Sequence, residues 1–211
     1  MPQRSGAPRP RLLPQAFYAR DAIEVARDLV GKELRRGPVR LRITEVEAYR
    51  SPDDTACHAR MGRTARNDPM WGPPGRAYVY LCYGIHWMLN LVTGEDGEAA
   101  AVLIRACAPV AGLGTIRERR GGKEGPALLT GPGKVAQALG LDRSHNHHPL
   151  YRRGELEVRE GPAPARILAG PRVGIDYAAP EHRDAPWRFA AGDTPWVSRP
   201  AALGPLGRSP L

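Results

Sequence analysis

The chain has 211 residues and is 42% hydrophobic, the length of one domain with enough apolar side chains for a core. Its net charge of +9 comes from 28 arginines and three lysines (Lys32, Lys123, Lys134), which points to a polyanionic partner such as DNA or RNA, although an arginine-rich genome is a competing source. No apolar run has membrane-spanning length, no secretory h-region opens the chain, and Cys57, Cys82 and Cys107 are scattered without a CxxC, so the composition speaks against a membrane protein, a disulfide scaffold or a zinc site and for a reducing, cytoplasmic compartment; a monomer is expected.

Residues 1–11 and 201–211 are basic or rich in Pro and Gly and read as flexible tails around a domain of residues 12–200. "DAIEVARDLVG" predicts a helix with Asp21 as N-cap and Gly31 as its stop. "VRLRITEVEAY" alternates and predicts a strand over 39–49. "RAYVYLCYGIHWMLNLVT" predicts two strands joined tightly near Gly84. "AAAVLIRACAPV" predicts another strand, and "TGPGKVAQALGL" a Gly-Pro-Gly turn running into a short helix. "RVGIDY" and "WRFAAG" predict late short strands. Mostly strands, with helices to one side, make an α+β fold: a single mixed domain with a curved antiparallel sheet.

Two features carry chemistry. Along the strand 39–49, Val39, Leu41 and Ile43 share one face, and without a bulge Glu45, Glu47 and Tyr49 continue it. Carboxylates on the apolar parity are costly unless paired or at work. The competing reading is that the strand leaves the core after Ile43 and both acids are solvated. Between this strand and the tyrosine hairpin lie Arg60, Arg63, Arg66 and Arg76. Cations interleaved with aromatic rings suit a nucleic acid, charge for the phosphates and ring faces for the bases. "HNHH" at 145–148 as a metal site and Pro2 as an N-terminal nucleophile are weaker alternatives, since the histidines have no further ligand spacing and Gln3 follows Pro2.

Glu47-Ala48-Tyr49, His58, "RNDPM", "PGRAYVYLCYG", Asn90, "VLIRA", "GPGKVAQAL" and "PWVS" recur in order between Phe17 and Ser198. In this the chain resembles the alkyladenine (3-methyladenine) DNA glycosylases of mammalian type. The resemblance implies a monofunctional DNA-N-glycosylase of base excision repair, without metal or cofactor, acting on alkylated or deaminated purines in double-stranded DNA. It implies a β-hairpin that protrudes into the minor groove with Tyr83 as the wedge. It implies a slot for the extruded base made by Tyr80, Tyr49 and His58. Glu47 would deprotonate the attacking water, with Arg105 helping to hold that water. Asn90 would stand near the purine 2-position, and Lys134 at a phosphate; the basic loop adds Arg60, Arg63 and Arg66 as backbone contacts. Ile85 and His86 depart from the larger or aromatic residues common beside the wedge. Glu45 stays open as an alternative base. The rival functions are a non-catalytic nucleic-acid-binding module and a free-nucleoside hydrolase.

Overall fold

The computed structural model describes residues 10–206. After a short helical turn α1 (Gln15–Tyr18), α2 (Ala22–Leu29) begins where the Asp21 side chain accepts the backbone N–H groups of Ile23 and Glu24, and stops before Gly31 at φ +95°. The strands that follow are β1 (Glu33–Arg36), β2 (Val39–Arg50), β3 (Ala77–Cys82), β4 (His86–Val92) and β5 (Ala100–Ala111). Helices α3 (Leu113–Arg119) and α4 (Pro132–Leu139) come next. The chain ends in β6 (Leu156–Arg159), β7 (Ile167–Gly170), α5 (Pro180–Arg183), β8 (Arg188–Ala191) and β9 (Gly204–Pro205).

Among the described residues the strands form one antiparallel sheet, ordered β3-β4-β5-β2-β8-β7-β9, with β1 pairing β2 and β6. One face carries the main core, where Val25, Ala26 and Leu29 of α2 and Val135, Ala138 and Leu139 of α4 pack on β2, β4 and β5. The other face carries a smaller cluster around Cys57, Met70, Tyr78 and Ala101, under the loop of residues 51–76. No helix of the described residues is long and apolar enough to cross a membrane.

The structure corrects the parity argument for β2. Its register against β5 runs Ile43↔Cys107, Glu45↔Ala106, Val46↔Ile104, so β2 bulges at Thr44 and β5 at Arg105. A one-residue slip turns every later side chain to the other face. Val39, Leu41 and Ile43 face the main core, but beyond the bulge Val46 and Ala48 take over that face. Glu45 and Glu47 therefore point to the opposite side, and both are fully buried there rather than solvated. The bulge sits where the neighbour of β2 changes from β1, paired to Val39–Arg42, to β8, paired to Glu45–Glu47.

"RVGIDY" is not a strand but an irregular loop. Its alternation has another cause: the Val173 N–H is spent on a Glu47 carboxylate oxygen, and Ile175 packs with Ala56 and Ala178. β1, β6 and β7 were not foreseen; β1 folds back on β2 through the turn at Gly37-Pro38, and β6 gains its pairing only from the distant β1. Of the segments read as tails, Arg11 and Gly204–Pro205 carry backbone pairing, to Glu160 and to β7 respectively. Residues 1–9, with Pro2, and 207–211 lie outside the described residues.

Gly31 generates a stability test. Its φ is +95°, and a Cβ there would lie 2.4 Å from the Pro162 carbonyl oxygen, a backbone atom that cannot swing aside. Gly31→Ala should cost more than about 2 kcal/mol, from the left-handed backbone plus the collision. At this size that lowers the melting temperature by at least about 4–8 °C. Gly37→Ala, also at positive φ but with nothing within 4 Å, should cost clearly less in the same thermal melts.

Candidate active site

Between the β3–β4 hairpin and the loop at 173–177 lies a pocket of about 530 Å³. Glu47 of β2 and Arg105 of β5 form its floor; the neighbouring bulges bring them together across the pair, with Arg105 Nη1 3.3 Å from Glu47 Oε1. Arg105 Nε also donates to Glu45 Oε1 at 3.2 Å. Burial pulls the Arg105 guanidinium down, but the charges of Glu47 and Glu45 outweigh it and its pKa moves up, so it stays a cation.

The two acids have different surroundings. Glu45 does not line the pocket and is held by four donors: Oε1 accepts from Arg105, Arg188 (3.2 Å) and the Ser198 hydroxyl (2.9 Å), and Oε2 from the Ser198 backbone at 2.6 Å. Glu47 lines the pocket. Its Oε1 takes the Val173 N–H at 2.7 Å, and its Oε2 takes the Tyr49 hydroxyl at 2.8 Å. Oε2 thus has one protein donor and a lone pair to spare. Burial, and then the charge of Glu47, raise the Tyr49 pKa, which keeps that phenol protonated as a donor.

The walls are aromatic. Tyr78 and Tyr80 project from the same face of β3, opposite Asn90 and Met88 of β4, and all four line the pocket. The His58 ring meets Tyr80 edge-on at 4.5 Å and lies 3.4 Å from the Tyr78 hydroxyl. Burial first, then the charges of Arg66 and Arg60, lower the His58 pKa from its ordinary value, which favours the neutral ring, although the residue remains partly open to solvent. Asn90 is buried and its amide donates to the Tyr78 carbonyl at 3.2 Å, which fixes its rotamer.

The hairpin tip contrasts with this. Ile85 N–H donates to the Cys82 carbonyl at 3.1 Å around Tyr83 (φ +50°) and Gly84 (φ +72°), the two positive φ values of a type I′ turn. Glycine is at ease there and tyrosine is not. Tyr83 is nevertheless 90% exposed, and Ile85 beside it is 70% exposed. His86 packs against α4, where a Cβ on Gly133 would come within 3.0 Å of its Cβ.

The arginines of the loop are less free than their exposure suggests. Arg63 pairs with Asp68 at 2.7 Å, Arg66 donates to the Leu81 carbonyl at 2.9 Å, and Arg60 lies over the Tyr177 ring. Lys134, in the first turn of α4, has no ion-pair partner among the described residues and flanks Gly131. The histidines at 145–148 serve their own loop: His145 bonds Asp142, and His148 Nε2 bonds the Leu156 backbone. Reading the sequence missed Arg172, Asp54, Arg188, Tyr177 and the structural part of Ser198. Asp54, Arg172, Tyr177 and Ser198 sit in loops, and Arg188 opens β8, a strand that was foreseen; in none of them does the local pattern mark the residue that serves the site.

A family model described as Methylpurine-DNA glycosylase (MPG) matches residues 16–195. A Nitrosococcus oceani protein that carries a 3-methyladenine DNA glycosylase name is 70% identical over 194 residues, which cover 92% of this chain and 96% of that protein. The Arabidopsis thaliana "DNA-3-methyladenine glycosylase" is 58% identical over 199 residues, 93% of this chain and 78% of that one. A similarly named Methanocella arvoryzae protein is 47% identical over 197 residues, 90% of this chain and 97% of its own. With a match over most of its length and relatives this similar over most of theirs, the protein belongs to the methylpurine-DNA glycosylase family and is a DNA glycosylase, a hydrolase of DNA repair.

Proposed function

We propose that the protein, acting as a monomer, hydrolyses the N-glycosidic bond of alkylated or deaminated purines turned out of duplex DNA and leaves an abasic site. One observation carries the reading: a fully buried carboxylate, Glu47, with an open lone pair at the floor of an aromatic-walled slot, below an exposed tyrosine on a hairpin tip. Tyr83 fills the gap left by the extruded nucleotide. Tyr80, Tyr49 and His58 hold the base, and stacking returns about 1–3 kcal/mol per base against an unstacking cost of a few. As the bond breaks, positive charge builds on the sugar. Glu47 balances that charge and takes a proton from the attacking water, which Arg105 helps to hold. A second carboxylate at the bond is unnecessary, because an alkylated purine already leaves readily. Arg60, Arg63, Arg66 and Lys134 contact the DNA backbone.

A purely binding module has no use for a buried acid facing polyanionic DNA, and a free-nucleoside hydrolase has none for a strained, exposed tip ring. Glu45, with four donors and no access to the pocket, is poorly suited to be the base.

Glu47→Gln keeps size and reach but loses charge and proton acceptance. Its single-turnover rate on a hypoxanthine duplex should fall about 10²–10⁴-fold while binding to that duplex holds or tightens. A wild-type rate would remove Glu47 as the base.

Tyr83→Ala should melt like the wild type, since that ring covers no core. Excision from paired duplex should drop more than excision from single-stranded or mismatched DNA, where less unstacking is needed. Equal losses on all three substrates would refute the wedge.

Asn90→Ser should let the 2-amino group of guanine into the pocket and raise guanine release from mispairs. Steric discrimination of this kind is worth about 1–3 kcal/mol, so the gain is modest. Unchanged guanine release in abasic-site cleavage assays would show that Asn90 is no gate.

A further inference from the structure

We propose that the buried Asp54–Arg172 ion pair is the positioning element of Glu47, holding both of its carboxylate oxygens from behind the pocket wall. The proposal rests on the assignment of Glu47 as the base.

Neither side chain of the pair is exposed at all, and neither residue lines the pocket. The contact is bidentate, with Arg172 Nη1 2.5 Å from Asp54 Oδ2 and Nη2 2.8 Å from Asp54 Oδ1. The same two nitrogens donate to the carbonyls of Ala48 (2.9 Å) and His182 (3.1 Å). Asp54 is anchored in turn, since its Oδ1 accepts the Ala56 N–H at 3.0 Å. The guanidinium is thus fixed in place and plane.

Two routes run from it to Glu47. In the first, the Arg172 guanidinium lies over the Tyr49 ring, its carbon 4.6 Å from the centroid, with Trp187 at 4.9 Å. Tyr49 then donates to Glu47 Oε2 at 2.8 Å. In the second, fixing Arg172 fixes the next peptide unit, and the Val173 N–H donates to Glu47 Oε1 at 2.7 Å. A glutamate left to itself rotates broadly about its terminal torsion. A base needs its free lone pair aimed at one point, and supporting residues supply that.

Stability alone is a weak reason for such a pair. A buried ion pair is often no more stabilising than apolar residues of the same volume, and here Arg172 Nε is buried without a partner. The planar fork over a ring is also a geometry that lysine cannot reproduce.

A double-mutant cycle separates positioning from simple support. Arg172→Lys and Glu47→Gln are made singly and together, and the single-turnover rate, duplex affinity and melting temperature are measured on DNA with one 7-methylguanine, whose cationic base leaves readily enough for slow rates to be read. Arg172→Lys should slow base release about 10- to 100-fold in the wild-type background, change affinity less than about threefold, and slow the Glu47→Gln protein less than about threefold. An equal slowing in both backgrounds, or a lowered melting temperature with an intact rate, overturns the proposal. If Arg172→Lys does not fold, Asp54→Asn, which keeps the guanidinium, takes its place in the same cycle with the same criteria. A wild-type rate for Glu47→Gln alone would end the base assignment and this proposal together, whereas a slow Glu47→Gln with equal Arg172 effects in both backgrounds ends only the positioning.

Discussion

A carboxylate without solvent is costly to keep charged, and the architecture around Glu47 follows from that cost. Two acids and two arginines are buried together at the bulge: Glu45, Glu47, Arg105 and Arg188. The charges balance, and the hydrogen bonds divide the work. Glu45 takes four donors and becomes the fixed point of the cluster, tying β2 to β5, β8 and the segment at Ser198. Arg105 spans both acids, so Glu47 gains a counter-charge without having its pocket-facing side covered.

The backbone makes this possible by breaking its own regularity. Had β2 run without a bulge, Glu45 and Glu47 would point into the main core beside Leu41 and Ile43, where no donors wait. The bulge turns them to the other face just where β8 replaces β1 as neighbour, and β8 brings Arg188 with it. The hairpin shows the reverse economy. Val79 and Leu89 are buried at its base and hold it to the domain, while Tyr83 has neither cover nor a comfortable φ. Strain retained at an exposed tip fits a residue used on a partner rather than in the fold.

Much of this was legible in the sequence where the signal is local. Asp21 and Gly31 bound α2, the Tyr83-Gly84 turn joins β3 and β4, and the alternation of Val39 to Ile43 marks the start of β2. The inward direction of Glu47 was reached by parity, which gave the right burial for a wrong reason, because a bulge leaves no mark in composition. Arg172 and Asp54 were invisible for a different reason. Residues 172–177 alternate as a strand does, but their backbone serves a carboxylate 126 positions away instead of a ladder. β6 pairs with β1 from 120 or more positions away, and nothing near β6 announces it, whereas the Gly37-Pro38 turn between β1 and β2 was a local signal that went unused.

The excess of arginine over lysine also has a reading inside the site. Every cation buried around Glu47 is an arginine: Arg105, Arg172 and Arg188. A guanidinium keeps its charge when desolvated, whereas a lysine ammonium in the same surroundings is readily driven to the neutral amine. A neutral amine beside the sugar would be a nucleophile and would open a covalent, Schiff-base route. No lysine lines the pocket among the described residues, and the nucleophile left to the proposed reaction is water, aimed by an acid to which all three partners donate. The choice of cation that makes the surface fit a polyanion thus also bears, within the pocket, on which chemistry is available.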